Sequence, residues 1–197
     1  MLQLNHVYIK DKNKDILTDC TYQFAEDNIY VIVGDPDDFI AFFNCVKGEK
    51  KTHSGEIVTW DSVEKFNSSD DSLMPEMMTG EEYLGFLVRV TGKKLSVEEL
   101  MKKSGIQREE MTYLLEKASP EIKAKLRFAS MIASDAYINT FGEPFPEKEL
   151  FCEYMNRMNE DKIFLLGVSE ENEARDLALA CGARLLKIER GSFSDEI

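Results

Sequence analysis

The feature that most constrains this chain is a short run at 28–34, Asn-Ile-Tyr-Val-Ile-Val-Gly. It is far too short to cross a membrane. It is also too continuous for a strand with one wet face, which would alternate apolar and polar residues. A run of this kind suits a strand buried on both faces, as in the centre of a parallel sheet. Parallel neighbours need crossover connections, usually helices, so the run points to an α/β fold. A Gly-Asp-Pro-Asp-Asp turn follows, and then a helical pattern over roughly 36–47 that ends at Gly48.

The rest of the chain agrees. "LQLNHVYI" and "LTDCTYQF" alternate as two short strands, with "KDKNKD" as their hairpin turn. "SGEIVTW" (54–60) reads as another strand. Residues 61–78 are polar and then Met-rich. Thr79 with Glu82, and Ser96 with Glu99, have the spacing of capping boxes, so helices should begin there. Ser119 and Pro120 offer an N-cap and a first-turn proline for a third helix, about 120–134. A strand at 136–141, a helix at 146–158, a strand at 162–168, a helix capped by Ser169 and closed by Gly182, and a strand at 184–191 complete the order. This predicts a mostly parallel sheet with helices on both faces and a helical insertion midway, about 70–128, within one domain over 1–197.

Composition sets limits. With 197 residues, 43% of them hydrophobic, the chain can bury a sizeable core. A net charge of −13 opposes nucleic acid, anionic membranes and free nucleotides as partners. Two histidines leave little for a His-based metal site or triad. Cys20, Cys45, Cys152 and Cys181 form no CxxC pair and are expected as reduced, mostly buried thiols of a cytoplasmic protein. The N-terminus "MLQLNHVYIK" lacks the apolar core of a signal peptide.

A buried strand, a glycine turn and a helix form the layout of a phosphate-binding loop. Around it the chain resembles the ATP-binding subunits of ABC transporters over nearly its whole length. "MLQLNHVYIKDKNKDILTDCTYQF" is similar to the family's opening strands, and "IYVIVG" to the strand entering its Walker A loop. "HSGEIVTWD" resembles the strand after the loop's helix, and "MTGEEYLGFL" a helix of the helical subdomain. "SPEIKAKLRFASMIASDAYINTFGEPF" aligns without a gap from the signature motif to Walker B. "KIFLLGVSEENEA" resembles the switch strand and "LLKIERG" the closing strand. The resemblance implies a P-loop NTPase-like, ABC-ATPase-like α/β fold, with ATP and magnesium as the family's ligands.

The family's chemical groups do not carry over. Of the Walker A glycines only Gly34 remains, and Asp35, Asp37 and Asp38 fill the loop. Phe39 takes the lysine position, and Ile40 and Ala41 the hydroxyl positions. The adenine-stacking aromatic falls near Asp11, with Tyr8 close by, and the Q-loop glutamine near Asp70. The signature glycines become Pro120 and Glu121 after Ser119. The magnesium-binding Asp of Walker B is Gly142, followed by a retained Glu143 and Pro144. The switch histidine becomes Val168 or Ser169, and "FPEKE" replaces the D-loop. One carboxylate about 4 Å from a phosphate charge costs roughly 4 kcal/mol at an effective dielectric near 20, about a thousandfold in affinity. No useful ATP affinity, and so no cofactor, is expected.

Several groups admit two readings. Glu143 could be a vestigial general base or a capping and ion-pairing residue. The Asp cluster could hold Mg²⁺ or Ca²⁺, or could cap its own helix, with Asp35 as N-cap, Pro36 at N1 and Asp37 and Asp38 facing the helix dipole. Self-capping is the stronger reading. Lys10, Lys12 and Lys14 suit a solvated turn better than an anion site. "LMPEMM" (73–78) could be an adaptable docking surface or a loop packing its own methionines. Taken with the resemblance, these residues imply a degenerate, non-catalytic ABC-type subunit. It would dock on an ABC permease or pair with a second ATP-binding subunit as a homo- or heterodimer, touching the membrane only through a partner. The alternatives are an ABC-type ATPase with residual ATP binding in a mixed dimer, and a free-standing cytosolic binding or immunity-type module.

Overall fold

The computed structural model describes residues 1–59, 74–92, 95–134 and 136–195. Two sheets carry the fold. The first is antiparallel, in the order β2 (Lys14–Phe24), β1 (Leu2–Asp11), β4 (Ser54–Thr59). The second runs β5 (Ile138–Gly142), β6 (Ile163–Val168), β3 (Asn28–Val33), β7 (Arg184–Glu189), β8 (Ser192–Asp195). Its first four strands are parallel, and β8 returns antiparallel to β7. The apolar run 28–33 is the central strand of this sheet, between β6 and β7.

The two-unit period of β3 explains why both faces had to be apolar. Ile29, Val31 and Val33 enter one core, and Tyr30 and Ile32 enter the other. Strand β6 divides in the same way, with Phe164, Leu166 and Val168 on one side and Ile163 and Leu165 on the other. The first core packs the sheet against α4 (Pro120–Ser134), α5 (Lys148–Met158) and α6 (Glu171–Cys181). It also takes in apolar residues of α2 (Gly80–Thr91) and α3 (Val97–Ser104). The second core lies between the two sheets and α1 (Pro36–Val46), where Phe24, Phe39, Phe42 and Phe43 meet.

The element order follows the sequence expectation, and the short strand β8 is an addition to it. Helices α2 and α3 begin in full capping boxes at Thr79/Glu82 and Ser96/Glu99. The expected cap of α6 is corrected. Its N-cap is Glu170, because the Ser169 hydroxyl is engaged elsewhere. The expectation of four reduced thiols is also corrected. Cys152 of α5 and Cys181 of α6 are joined in a disulfide across packed helices, with Cα atoms 4.8 Å apart, while Cys20 and Cys45 are free and buried. Sequence distance hid the pair, since 29 residues separate two positions that α5–α6 packing brings together. No helix among the described residues is long and apolar enough to cross a membrane.

Candidate functional site

The loop after β3 stands where a phosphate would be cradled. The Gly34 amide donates to the Val168 carbonyl at 3.1 Å, which ties the loop to the end of β6. Asp35 caps α1, and its Oδ1 accepts from the Asp37 amide at 3.0 Å. Pro36 occupies the first helical turn, where its missing amide costs nothing, and Asp37 and Asp38 add carboxylates at the positive end of the helix. The helix N-terminus that would hold an outside anion is therefore served by side chains of its own loop.

The hairpin between β1 and β2 supplies the counter-charge. Lys14 Nζ lies 2.8 Å from Asp38 Oδ1 and 3.4 Å from Asp35 Oδ2. Lys12 Nζ lies 3.4 Å from Asp37 Oδ2. Lys12 and Lys14 thus belong to the site and are not merely a solvated turn. Lys10 pairs with Asp15 at 3.8 Å instead. Asp38 is buried and the other partners are half-exposed or more, so the pairs are set mainly at the surface. The Asp37 amide, and then Lys14, hold the Asp35 carboxyl below the usual carboxylate range. The hydrogen bond to Asp38 raises Lys14 above the usual lysine value.

Phe39 is a core residue. It is 2% exposed, and its ring lies over Gly167 of β6, where a Cβ would come within 2.4 Å of Phe39 Cδ2. Gly167 pairs with Gly142 at the ends of β6 and β5. The end of β5 therefore offers no carboxylate to a magnesium ion, and the helix position facing it offers a buried phenyl ring. Ile40 is half-buried against the second core.

Glu143 and Ser169 meet. The Ser169 hydroxyl donates to Glu143 Oε2 at 2.7 Å, so these two residues at the ends of β6 and β5 satisfy each other. The other oxygen, Oε1, is buried and meets no donor among the described residues. Behind them, Arg127 of α4 is buried, donates to the Pro144 carbonyl at 2.7 Å, and stands 4.9 Å from the centre of the Phe141 ring. Nothing in the sequence alone singled out Arg127. The signal for Lys12 and Lys14 was their place at the turn between the two expected hairpin strands.

The other sequence candidates are occupied elsewhere. Asp11 is ion-paired to Lys50, whose hydrogen bond holds its carboxyl low. Tyr8 donates to Asp15 at 2.5 Å and meets His53 edge-on, with ring centres 5.5 Å apart. Ser119 caps α4 through the Ile122 amide at 3.3 Å. Glu121 is 3.6 Å from Lys125, which also holds Glu110 at 2.8 Å. Burial opposes the charge on Lys125, but the hydrogen bond and charge of Glu110, helped by Glu121, outweigh it and raise its pKa. No hydrogen bond or ion pair joins Ser119 or Glu121 to the Asp loop among the described residues. The position near Asp70 lies outside the described residues. Among those residues, no group of three or more His, Cys, Asp or Glu side chains is arranged to hold a metal ion.

No protein-family model matches the chain, and no curated protein matches it. Solved structures do. A dimeric post-hydrolysis state of the ATP-binding cassette MJ0796, bound to ADP and Pi, matches with a TM-score of 0.76 at 15% identity, covering 100% of this chain and 98% of that one. An ATP-binding subunit of an ABC transporter matches at 0.72 and 14% identity, covering 100% and 89%. CbiO1 from Clostridium perfringens, part of the ABC transporter complex cbiONQ, matches at 0.66 and 15% identity, covering 98% and 86%. At such identities the likeness shows the fold. The residues of this loop do not fit magnesium and a triphosphate, because carboxylates and a buried ring stand where cations and open space are required.

Proposed function

Because the chain has the fold of ABC ATP-binding subunits, we propose that it is a pseudo-ATPase, an interaction subunit that keeps the scaffold and has closed its own nucleotide site. The observation that carries this reading is Lys14 held between Asp38 and Asp35 at 2.8 and 3.4 Å. Carboxylates of the loop take the place of the phosphates, and lysines of the β1–β2 hairpin take the place of the missing Walker lysine. A nucleotide would have to break these pairs and then face three carboxylates.

The partner in this reading is an ABC permease or a second ATP-binding subunit, with the subunit cytoplasmic and reaching the membrane only through that partner. Met77 and Tyr113, 78% and 60% exposed, support a contact surface. They flank segments whose backbones are paired, with the Leu115 amide on the Met78 carbonyl and the Glu116 amide on the Glu76 carbonyl. In this reading residues 70–128 are the inserted helical subdomain that presents them.

One observation favours a free-standing binding module instead. Tyr83, Leu84 and Leu87, large apolar residues of α2, are core residues. The exposed residues of α2 are Glu81, Glu82, Arg89 and Val90, which are mostly charged.

The test is thermal melting with Mg-ATP, repeated with Ca²⁺ alone. A ligand present at about a hundred times its Kd stabilises the folded state by about 2.7 kcal/mol, several degrees for a protein of this size. No shift is expected with either. A rise with ATP would overturn the pseudo-ATPase reading, and a rise with Ca²⁺ would make the Asp loop a metal site.

A further inference from the structure

The disulfide between Cys152 and Cys181 stands apart from the nucleotide site, yet it joins the two helices that lead away from it. Helix α5 begins shortly after Glu143, and α6 shortly after Ser169. The cystine sits in the core that these helices share with the parallel sheet, and its two halves are 4% and 1% exposed. Such burial shields a disulfide from reductant in the closed molecule. One end lies at a helix terminus, where the Gly182 and Ala183 amides close the turn on the Leu179 and Ala178 carbonyls. Cys181 is the last residue of α6, followed by Gly182 in the left-handed conformation. Leu179 in the same turn is 86% exposed, so it adds little packing to hold the helix end down. Helix ends open locally at small free-energy cost, and opening this turn exposes the Cys181 sulfur without unfolding the sheet. The two remaining thiols form no disulfide. Cys20 and Cys45 are buried and pack in the opposite core, and burial pushes Cys45 up to about 11, where little thiolate exists near neutral pH.

We propose that Cys152 and Cys181 form a reversible thiol–disulfide staple that fixes α6 to α5, and with them the Glu143–Ser169 contact, when the surroundings are oxidising. The oxidant is a low-molecular-weight disulfide. The Cys181 thiolate, exposed by opening of the last turn, attacks one sulfur of the reagent and releases one small thiol, leaving a mixed disulfide. The Cys152 thiolate then attacks the Cys181 sulfur, forming the S–S bond and releasing the second small thiol. The two protons lost by the cysteines end on the two released thiols, and the reagent takes up the two electrons. Reduction by excess small thiol runs the same steps backwards. The inference does not depend on the proposed function.

The experiment uses the full chain equilibrated at graded ratios of oxidised to reduced glutathione, trapped with iodoacetamide and read by peptide mass and by thermal melting. The expected result is loss of alkylation at Cys152 and Cys181 together, a linked peptide containing both, and a melting temperature roughly 5–10 °C higher than that of the reduced protein. Excess dithiothreitol should restore both thiols while the protein stays folded. Cys181→Ser should abolish the redox dependence and melt near the reduced wild type. Alkylation of both thiols at every ratio would overturn the proposal. So would a linkage through Cys20 or Cys45, a melting temperature indifferent to the ratio, or a bond that dithiothreitol cannot open below the melting point. The wild-type comparison needs no substitution, so it decides even if Cys181→Ser fails to fold.

Discussion

Lys14 of the β1–β2 hairpin and Asp38 of helix α1 stand 2.8 Å apart, and Lys14 also lies 3.4 Å from Asp35. One hairpin cation thus spans two of the three carboxylates in the loop between β3 and α1. Exposed ion pairs contribute about 0–1 kcal/mol, and the burial of Asp38 places this one at the upper end of that range. Lys14→Met is therefore expected to lower stability by about 1 kcal/mol in urea denaturation. The loss should shrink in molar salt, where exposed charges are screened. An unchanged midpoint at low salt would remove the clamp from the account of the site.

The same loop sets a pH dependence whose sign follows from its two shifted groups. Asp35 is held below the ordinary carboxylate value in the folded state, first by the Asp37 amide and then by Lys14. Its contribution is complete above the unfolded value, near pH 4, and is lost as pH falls through the folded value. Lys14 is raised, first by its hydrogen bond to Asp38. Its contribution is complete below the unfolded value, near pH 10.4, and is lost as pH rises through the folded one. Stability from this loop should be level between about pH 5 and pH 9 and fall on both sides. Asp35→Asn should flatten the acid limb in urea melts from pH 2.5 to 7, and an unaltered limb would assign the acid loss to other carboxylates.

Phe39 and Gly167 should behave as a coupled pair. A Cβ at Gly167 would come within 2.4 Å of the Phe39 ring, which is itself buried in the second core. Gly167→Ala is expected to cost about 1–3 kcal/mol by overpacking. Phe39→Leu should recover part of that loss in the double variant. Additive effects in a double-mutant cycle would show that the ring and the glycine do not constrain each other.

Placing a lysine at position 39 should fail for the same reason. Phe39→Lys removes a buried ring and places an ammonium in the second core, so it should cost at least about 3 kcal/mol. It should bring no nucleotide binding, since Asp35, Asp37 and Asp38 remain. A stable variant that binds Mg-ATP in calorimetry would show that the loop is one substitution away from function.

Arg127 is the buried cation behind Glu143. Arg127→Met keeps much of the side-chain volume but loses the hydrogen bond to the Pro144 carbonyl and the contact with the Phe141 ring. A loss of about 2–4 kcal/mol is expected, read by chemical denaturation. A loss below about 0.5 kcal/mol would mean that water replaces the guanidinium at Pro144 at little cost.

Much of this molecule can be read from the chain by itself, because the deciding signals are local. Five consecutive apolar or aromatic residues at 29–33 require a strand covered on both faces. Thr79 with Glu82 and Ser96 with Glu99 satisfy amides of their own first turns, so they mark helix starts wherever the helices pack. Asp35 and Pro36 work over one turn in the same way. That Phe39 and Gly142 carry no charged group is likewise plain from the chain alone. Only the tertiary structure decided where charges and sulfurs found partners. Lys14 meets Asp35 and Asp38 because a hairpin folds over a helix start, Ser169 leaves its expected cap because Glu143 arrives from the segment after β5, and Cys181 meets Cys152 because α5 and α6 pack side by side. Helix caps and strand burial are settled within a few residues, whereas an ion pair, a cross-strand hydrogen bond or a disulfide depends on the placement of elements that the chain brings together only when it folds.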